Sequence, residues 1–387
     1  MKKAMMVVLL LGTVSLCGDV VYEGARAVAG PFLYSLGATA AAVGFVSGFG
    51  EFAGYGFRIV SGHFVDRTSR YWLLVFVGYA MIVAIPLLAF AKHWQLAALL
   101  LVLERTGKAI RTPSREVIIS NAGASMGRGW AFGLHEAMDQ LGALVGPLIF
   151  TAAVALGDGY RSGFRIMVIP FVVMLVVLVV ARSKFPEPHK VEVEPEATGQ
   201  GVSRAFWLYL IFTGIAICGF ANFQLVSYHA KAKSLLSDVA IPLMYAVAMG
   251  VDGVAALVVG KLYDKRGFSA LMALPAIGII GAPMLFSLSK PAIIVGIILW
   301  GIAIGIQETI MRAAVGDLVP LKRRGWAYGT FYAVFGVSWF LGSLVIGFLY
   351  GHSIAAVIAF SILLQAASIP AFMIFRREIA RSKVQRN

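Results

Sequence analysis

Apolar stretches of about 20 residues recur along this entire chain, and each is long enough to cross a hydrocarbon core about 30 Å thick. Lipid offers no partner to backbone N–H and C=O groups, so segments of this kind close their hydrogen bonds internally, as α-helices. Composition agrees: residues of the set AVILMFWYC make up 59% of the 387 positions and charged residues 13%, where an ordinary globular chain is roughly a quarter charged. The sequence predicts an all-α membrane protein with twelve transmembrane helices near 4–34, 38–64, 71–91, 95–120, 129–155, 163–182, 204–230, 239–262, 268–289, 291–316, 326–350 and 353–376.

The net charge of +14 invites a nucleic-acid reading, but the basic residues form no patch and no nucleic-acid motif accompanies them. Their placement follows the positive-inside rule instead. With both termini in the cytoplasm, Lys322-Arg323-Arg324 and the tail from Arg376 to Arg386 fall on the cytoplasmic side. This implies an even number of crossings and a multi-pass protein of the inner (cytoplasmic) membrane. Met1-Lys2-Lys3 and the apolar run behind them continue without a clean cleavage site into Asp19–Arg26, so they read as the first membrane helix rather than a leader. Cys17 and Cys218 both lie in apolar segments and read as small buried hydrophobes. No metal-ligating cluster, nucleotide-binding glycine loop or serine-nucleophile elbow is present in the sequence. The expectation is therefore no enzyme, no cofactor, no metal and no nucleic-acid partner, and a chain that works as a monomer in the bilayer.

Between the sixth and seventh spans, 183–203 is polar and spaced by Pro186, Pro188 and Pro195, the composition of a linker. It separates a six-helix bundle over 1–182 from another over 204–376, with a basic cytoplasmic tail at 377–387. The halves repeat. Gly62-His63-Phe64-Val65-Asp66-Arg67 recurs as Gly260-Lys261-Leu262-Tyr263-Asp264-Lys265, 198 positions on. Gly129-Trp130-Ala131-Phe132-Gly133 recurs as Gly325-Trp326-Ala327-Tyr328-Gly329, 196 on, and Arg115 and Arg312 are 197 apart. Two parallel six-helix repeats are a recognised transporter design, with the site at the repeat interface.

On these residues the chain resembles the major facilitator superfamily over essentially its full length. The loop after the second span is similar to the family's characteristic motif, here Gly62, Asp66, Arg67 and Arg70, with Ser69 where a glycine is expected. The resemblance implies a gating role in which Asp66 faces the positive N-terminal end of the eleventh span, a helix-dipole contact worth about 0.3–1 kcal/mol at an exposed site. Arg105-Thr106-Gly107-Lys108 resembles the arginine-bearing motif of the fourth span. Gly142-Ala143-Leu144-Val145-Gly146-Pro147 resembles the motif of proton-coupled exporters without its trailing glycine pair. Gly142 and Gly146, at i and i+4, also make a smooth face for close helix packing.

Charges inside spans cost about 2.5–3.5 kcal/mol each on insertion scales, yet the first half holds many. Asp19, Glu23 and Arg26 share one face of the first span with Tyr22 beside it; Glu51 lies in the second, Glu104, Arg105, Lys108, Arg111 and Arg115 in the fourth, and His135, Glu136 and Asp139 in the fifth. Arg58, Arg111, Arg115 and Glu116, near the cytoplasmic ends, are expected to pair or snorkel. Asp19, Glu23, Glu51 and Asp139 are the candidate proton-coupling acids. Tyr22, Arg26, Arg105, Lys108 and Glu136 are the candidate counter-charges and substrate contacts. Burial favours a protonated carboxylate and a nearby arginine an ionised one, so protonation can report conformation.

The second half offers Asn222, Gln224, Glu308 and Trp339 as candidate substrate contacts, with Gln307 and Tyr332 nearby in sequence and Glu308 spaced to pair with Arg312. Titratable groups in one half and amides and aromatics in the other suggest that the first handles ions and the second the organic part of a solute. The leading expectation is proton-coupled export of a small amphiphilic compound by alternating access. Proton-coupled uptake of a small organic anion, flipping of a lipid or lysolipid, and a non-transporting membrane receptor are the alternatives.

Overall fold

The computed structural model describes residues 2–68, 70–123, 128–157, 159–186, 203–319 and 324–384. All regular structure among them is helical. In chain order the helices are α1 (Lys2–Ser35), α2 (Ala40–Thr68), α3 (Tyr71–Ala80), α4 (Ala84–Leu87), α5 (Trp94–Gly123), α6 (Arg128–Leu156), α7 (Tyr160–Ile166) and α8 (Val168–Lys184). Further along the chain come α9 (Arg204–Cys218), α10 (Phe223–Ala232), α11 (Ala240–Arg266), α12 (Ala273–Leu285), α13 (Lys290–Glu308), α14 (Ile310–Leu318), α15 (Arg324–Tyr350) and α16 (Ile354–Val384). Short 3-10 turns at Met81–Val83, Leu88–Phe90 and Gly267–Met272 join neighbouring pieces.

Starts and stops follow local chemistry. Thr39 and Ser353 place a hydroxyl 3.2 and 3.3 Å from the first-turn amides of Ala42 and Ala356, and Pro291 opens α13, where its missing N–H costs nothing. Gly37 carries the chain out of α1 at φ +84°, a conformation that side-chain-bearing residues avoid. Ten helical stretches, some of them formed by two consecutive helices, are long and apolar enough to cross a membrane. Two long helices, α2 and α5, are not among them. They carry Glu51 and Arg58, and Glu104, Arg105, Lys108, Arg111, Arg115 and Glu116. The chain is a multi-pass membrane protein in which these two helices bury Glu51, Glu104, Arg105 and Arg111 inside the protein. Apolar side chains cover the outside; Phe90, Leu156 and Leu257 are 69%, 89% and 73% exposed, as lipid-facing residues are.

The chain divides into two compact units. The first comprises Met1–Ala38, Phe49–Val193 and Leu236–Ala246. Within it α1 is central, lying along α6 and packing on α8 and α5. The second comprises Thr39–Gly48, Glu194–Leu235 and Val247–Asn387. Here α9 packs on α16 and α15, and α12 on α13 and α16. The segment Thr39–Gly48 joins α15 through small residues. A methyl added at Gly48 would lie 2.9 Å from Ser343 Cβ, and one at Gly347 would lie 2.6 Å from the Ala40 carbonyl.

Two second-half spans that the hydropathy profile reads as continuous are broken, as the sixth is at Met167. The seventh interrupts between Cys218 and Phe223, and the tenth at Thr309. At the first break Gly219 packs so closely on Leu364 that a Cβ would sit 2.7 Å from it. Asn222 then restarts the helix, its side chain accepting from Leu225 N at 2.9 Å. Freed carbonyls find partners, Ala216 O from Gln365 Nε2 at 2.8 Å and Ala221 O from Trp300 Nε1 at 2.9 Å. Satisfying such groups internally is what lets a membrane helix break.

Candidate functional site

In the first unit the charges of α1, α2, α5 and α6 come together. Arg26 Nη2 donates to Glu51 Oε1 at 2.7 Å and Arg26 Nη1 to Glu23 Oε1 at 3.3 Å. Arg105 Nη1 lies 3.7 Å from Glu51 Oε1 and its Nε 3.3 Å from Glu104 Oε2, while Arg111 Nη2 lies 3.6 Å from Glu104 Oε1. Arg115 Nη1 is 3.8 Å from Asp139 Oδ2, which also has His135 Nδ1 at 3.4 Å. The Arg115 guanidinium donates to Ser15 Oγ at 2.5 Å, and that hydroxyl meets Tyr79 OH at 3.2 Å. The small residues of α5 and its neighbours permit this density. A methyl at Gly78 would stand 2.5 Å from the Gly107 carbonyl and 2.6 Å from Arg111 Cβ.

Tyr22 is the hub of the cations. Its ring centroid lies 4.4 Å from Lys108 Nζ and 5.2 and 5.5 Å from the guanidinium carbons of Arg105 and Arg111. Lys108 also donates to its hydroxyl at 3.1 Å. Cation–π attraction is worth up to about 2 kcal/mol where water is excluded, which helps hold like charges around one ring.

The four candidate acids are not equivalent. Glu23, Glu51 and Asp139 each have a basic side chain within 4.0 Å. Asp19, only 6% exposed, has none among the described residues. Lys108 is the positive charge in its surroundings, and Asp139 and Glu23 are its acidic neighbours. Asp19 also faces α6. A methyl on Gly142 would fall 2.7 Å from Asp19 Cβ and 2.5 Å from the Leu16 carbonyl, and one on Gly146 would collide with the Val20 carbonyl. The Gly142–Pro147 stretch is therefore the surface on which the acid-bearing helix α1 rests.

Other sequence-selected residues lie elsewhere. Glu136 is exposed. Arg67 and Arg70 are exposed and Gly62 has open space where a side chain would be; the Asp66 side chain lies outside the described residues, as do 187–202 of the linker, Lys322-Arg323 and 385–387. Arg111 does not snorkel. It is 2% exposed, donates to the Gly78 carbonyl at 3.2 Å and lies 5.0 Å from the Tyr79 ring centroid, because Glu104, about two turns earlier, supplies its counter-charge inside the protein.

In the second unit Asn222 spends its side chain on the α10 cap and on Ser343 Oγ, 2.8 Å away. Glu308 pairs with Arg312 at 3.9 Å, both side chains about two-fifths exposed at 42% and 39%. Gln224 and Trp339 are buried beside the break in an aromatic cluster: Phe220 lies 6.2 Å from Trp300 and 6.0 Å from Trp339, and Phe335 lies 5.4 Å from Trp339.

One residue that pattern reading did not select joins the first unit's network. Tyr245, on the Leu236–Ala246 segment and 1% exposed, donates its hydroxyl to Glu23 Oε2 at 2.5 Å. The same segment is held by Tyr160 OH, which donates to Asp238 Oδ1 at 2.6 Å. The sole sequence signal for Tyr245 is a phenol inside an apolar span, which needs a partner when buried; nothing local names Glu23, 222 positions away.

Comparison with known proteins places this geometry. A sequence profile of the Major Facilitator Superfamily matches residues 11–307 and 237–387. Uncharacterized proteins of Mycobacterium bovis and Mycobacterium tuberculosis are 38% identical over 371 residues, covering 94% of this chain and 91% of theirs. An uncharacterized MFS-type transporter of Methanocaldococcus jannaschii is 26% identical over 358 residues, covering 89% of this chain and 88% of its own. Among solved structures, a peptide transporter POT in complex with sulfate superposes with a TM-score of 0.75 at 15% identity, covering 97% of this chain and 94% of that one. A bacterial homolog of the human lysosomal transporter Spinster gives 0.71 at 15%, covering 98% and 96%, and the nucleoside transporter NupG gives 0.70 at 14%, covering 96% and 99%. These similarities are of fold.

Proposed function

Because this chain belongs to the major facilitator superfamily, and is a transporter rather than an enzyme, we propose that it is a proton-coupled secondary transporter that exports a small amphiphilic compound by alternating access. In this reading twelve spans form two six-helix bundles, over 1–182 and 204–376, in the inner membrane with both termini cytoplasmic. The chain acts as a monomer without a cofactor, and its partners are the solute, protons and the bilayer.

Asp19 carries the proton. The supporting observation is that this buried acid lacks a basic partner within 4.0 Å among the described residues, while Glu23, Glu51 and Asp139 have theirs. An ionised carboxylate in that position bears the cost of an incompletely compensated charge, and a proton removes it. Lys108 is the counter-charge nearest in role: it is tied to the Tyr22 hydroxyl rather than to a carboxylate, so it can approach Asp19 when the acid is ionised. Glu23, Glu51, Arg26 and Arg105 form the fixed part of the site. Their mutual neutralisation keeps the field around Asp19 from being dominated by either sign, and Arg115 does the same for Asp139. The direction, export, is supported by the partial exporter motif at Gly142, Gly146 and Pro147 lying directly against Leu16, Asp19 and Val20, where sliding of α1 over a small-residue surface changes the surroundings of the acid. Gly62, Asp66, Arg67 and Arg70 serve as gating residues of the loop after α2.

The test is extrusion. Everted vesicles containing the chain, energised to an acidic interior, are loaded with a panel of fluorescent amphiphiles; accumulation inside that collapses with a protonophore supports proton-coupled export. Accumulation that ignores the protonophore, or solute entry only into right-side-out vesicles, overturns coupling or direction respectively.

A further inference from the structure

A second polar cluster lies beside Asp19, built from α1, α3, α5 and α6. Asp139 Oδ2 has Arg115 Nη1 at 3.8 Å and His135 Nδ1 at 3.4 Å. Arg115 is tied through the Ser15 hydroxyl to Tyr79. Buried polar atoms without partners are uncommon in folded proteins, and each calls for a reason. Among the described residues this cluster holds His135 Nε2, Asp139 Oδ1 and Arg115 Nε in that state, and Ser114 Oγ is next to Arg115 in sequence. His135 is 3% exposed. One of its ring nitrogens rests against the acid, and the other meets no protein group.

The cluster and Asp19 stand in line along α6. His135, Asp139 and Gly142 are at i, i+4 and i+7, one face of the helix, with rises of about 6 and 4.5 Å between them. Helix α1 lies against that face with its own residues in the same order. A methyl on Gly12 would collide with Met138, and one on Gly142 would lie 2.7 Å from Asp19 Cβ. Asp19 therefore stands about one turn beyond Asp139, at the position where α6 has no side chain. In the topology proposed above α6 starts on the cytoplasmic side, and His135 lies seven residues in from Arg128. Going from the cytoplasm into the membrane, the order is His135, Asp139, Asp19.

We propose that His135 is the proton relay between these two acids and the cytoplasm. The inference rests on the transport reading with Asp19 as proton carrier, and it adds the exit path. Of the two basic side chains within 4.0 Å of Asp139 among the described residues, the Arg115 guanidinium does not give up a proton. Imidazole accepts at one nitrogen and donates at the other. Asp19 passes its proton across the bare surface of Gly142 to Asp139. The Asp139 O–H bond then breaks as a His135 Nδ1–H bond forms, and the Nε2–H bond breaks as its proton leaves to cytoplasmic water. The ring is neutral before and after, Asp139 ends ionised beside Arg115, and proton exchange with water restores the first tautomer. A doubly protonated ring would put a second buried cation beside Arg115, so His135 passes protons without storing them. The other charges bearing on the pair are Asp19 of α1, Lys108 of α5 and the exposed Glu136 of α6 itself. Helix α7 meets α6 at its far end, where Ser162 donates to the Ala153 carbonyl at 2.9 Å.

His135→Gln keeps a polar group against Asp139 and removes the relay, and His135→Asn is the second variant. Full-length protein is placed in proteoliposomes with trapped pyranine, which reads proton movement driven by a fluorescent amphiphile that the everted vesicles extrude. Exchange of labelled for unlabelled amphiphile reads solute movement alone. Coupled proton flux should fall at least about tenfold in both variants, with exchange within about twofold of the parent. Parallel loss of both rates, the mark of a structural role, overturns the proposal, and so does undiminished coupled flux in a folded variant. Solvent deuterium needs no variant. Coupled flux in the parent should fall at least about twofold in D2O while exchange holds, and equal flux in the two solvents overturns the proposal. A parent chain that extrudes no amphiphile overturns the transport reading and this inference with it. Decoupling by Asp19→Asn but not by His135→Gln overturns the relay alone; the reverse supports the relay and removes Asp19 as its source.

Discussion

Replacing Glu51 with glutamine and Asp19 with asparagine are chemically similar changes with unequal expected consequences for stability. Glu51 Oε1 is 2.7 Å from Arg26 and 3.7 Å from Arg105, and the side chains of Glu51, Arg26 and Arg105 are 9%, 17% and 10% exposed. Stripping one partner from a buried ion pair costs about 3–5 kcal/mol when the remaining charge is left alone. Here Arg26 keeps Glu23 and Arg105 keeps Glu104, so the loss reduces to roughly one charge-assisted hydrogen bond and a weakened second contact, about 2–3 kcal/mol in all. Asp19→Asn removes a charge with no basic partner within 4.0 Å among the described residues and leaves no cation stranded there, so the unfolding free energy should stay within about 0.5 kcal/mol of the parent. Urea or dodecyl sulfate titration of the purified chain in mixed micelles, followed by near-ultraviolet circular dichroism and extrapolated linearly, measures both. Equal losses in the two variants, or a larger loss for Asp19→Asn, would refute the assignment of Asp19 as the unpaired acid of the cluster.

Gly146→Ala drives a methyl into the Val20 carbonyl and should destabilise by about 1–3 kcal/mol, as overpacking does, with the loss read in the same titration. Tyr245→Phe deletes the donor to Glu23 and should cost about 1.5–3 kcal/mol, the range for a hydrogen bond to a charged group; hydrogen exchange at the α11 amides of Leu243 to Val247 should rise with it. Asn222→Ala removes both the α10 cap and the bond to Ser343 and should cost about 0.5–2 kcal/mol for the cap alone, whereas Asn222→Ser should recover much of that.

The sequence was most legible where one physical constraint acts on many residues. Membrane helices must be long, apolar and internally hydrogen-bonded, so the helical class and its rough spans could be read directly. Charges were legible as a cluster because burying them is expensive. Which charge meets which was not: Arg111 looked close enough to a helix end to snorkel, and only packing shows that Glu104 lies within its reach and that Gly78 and Gly107 leave it room. The break at Gly219 was hidden because hydropathy averages over it. Asn222, chosen as a solute contact, carries the chemistry of a helix N-cap, which could have been recognised from an asparagine preceded by Gly219-Phe220-Ala221. Tyr245 was beyond reach, since its partner lies on another helix far away in the chain.

The measurement closest to the heart of the account follows protons and solute together in proteoliposomes holding a pH-sensitive dye. With an amphiphile that the parent chain moves, a solute pulse should shift internal pH in the parent protein. The Asp19→Asn variant should exchange labelled for unlabelled solute at a comparable rate while producing no pH change. An Asp19→Asn protein that still moves protons in step with solute would contradict the account, because the proton would then be carried elsewhere.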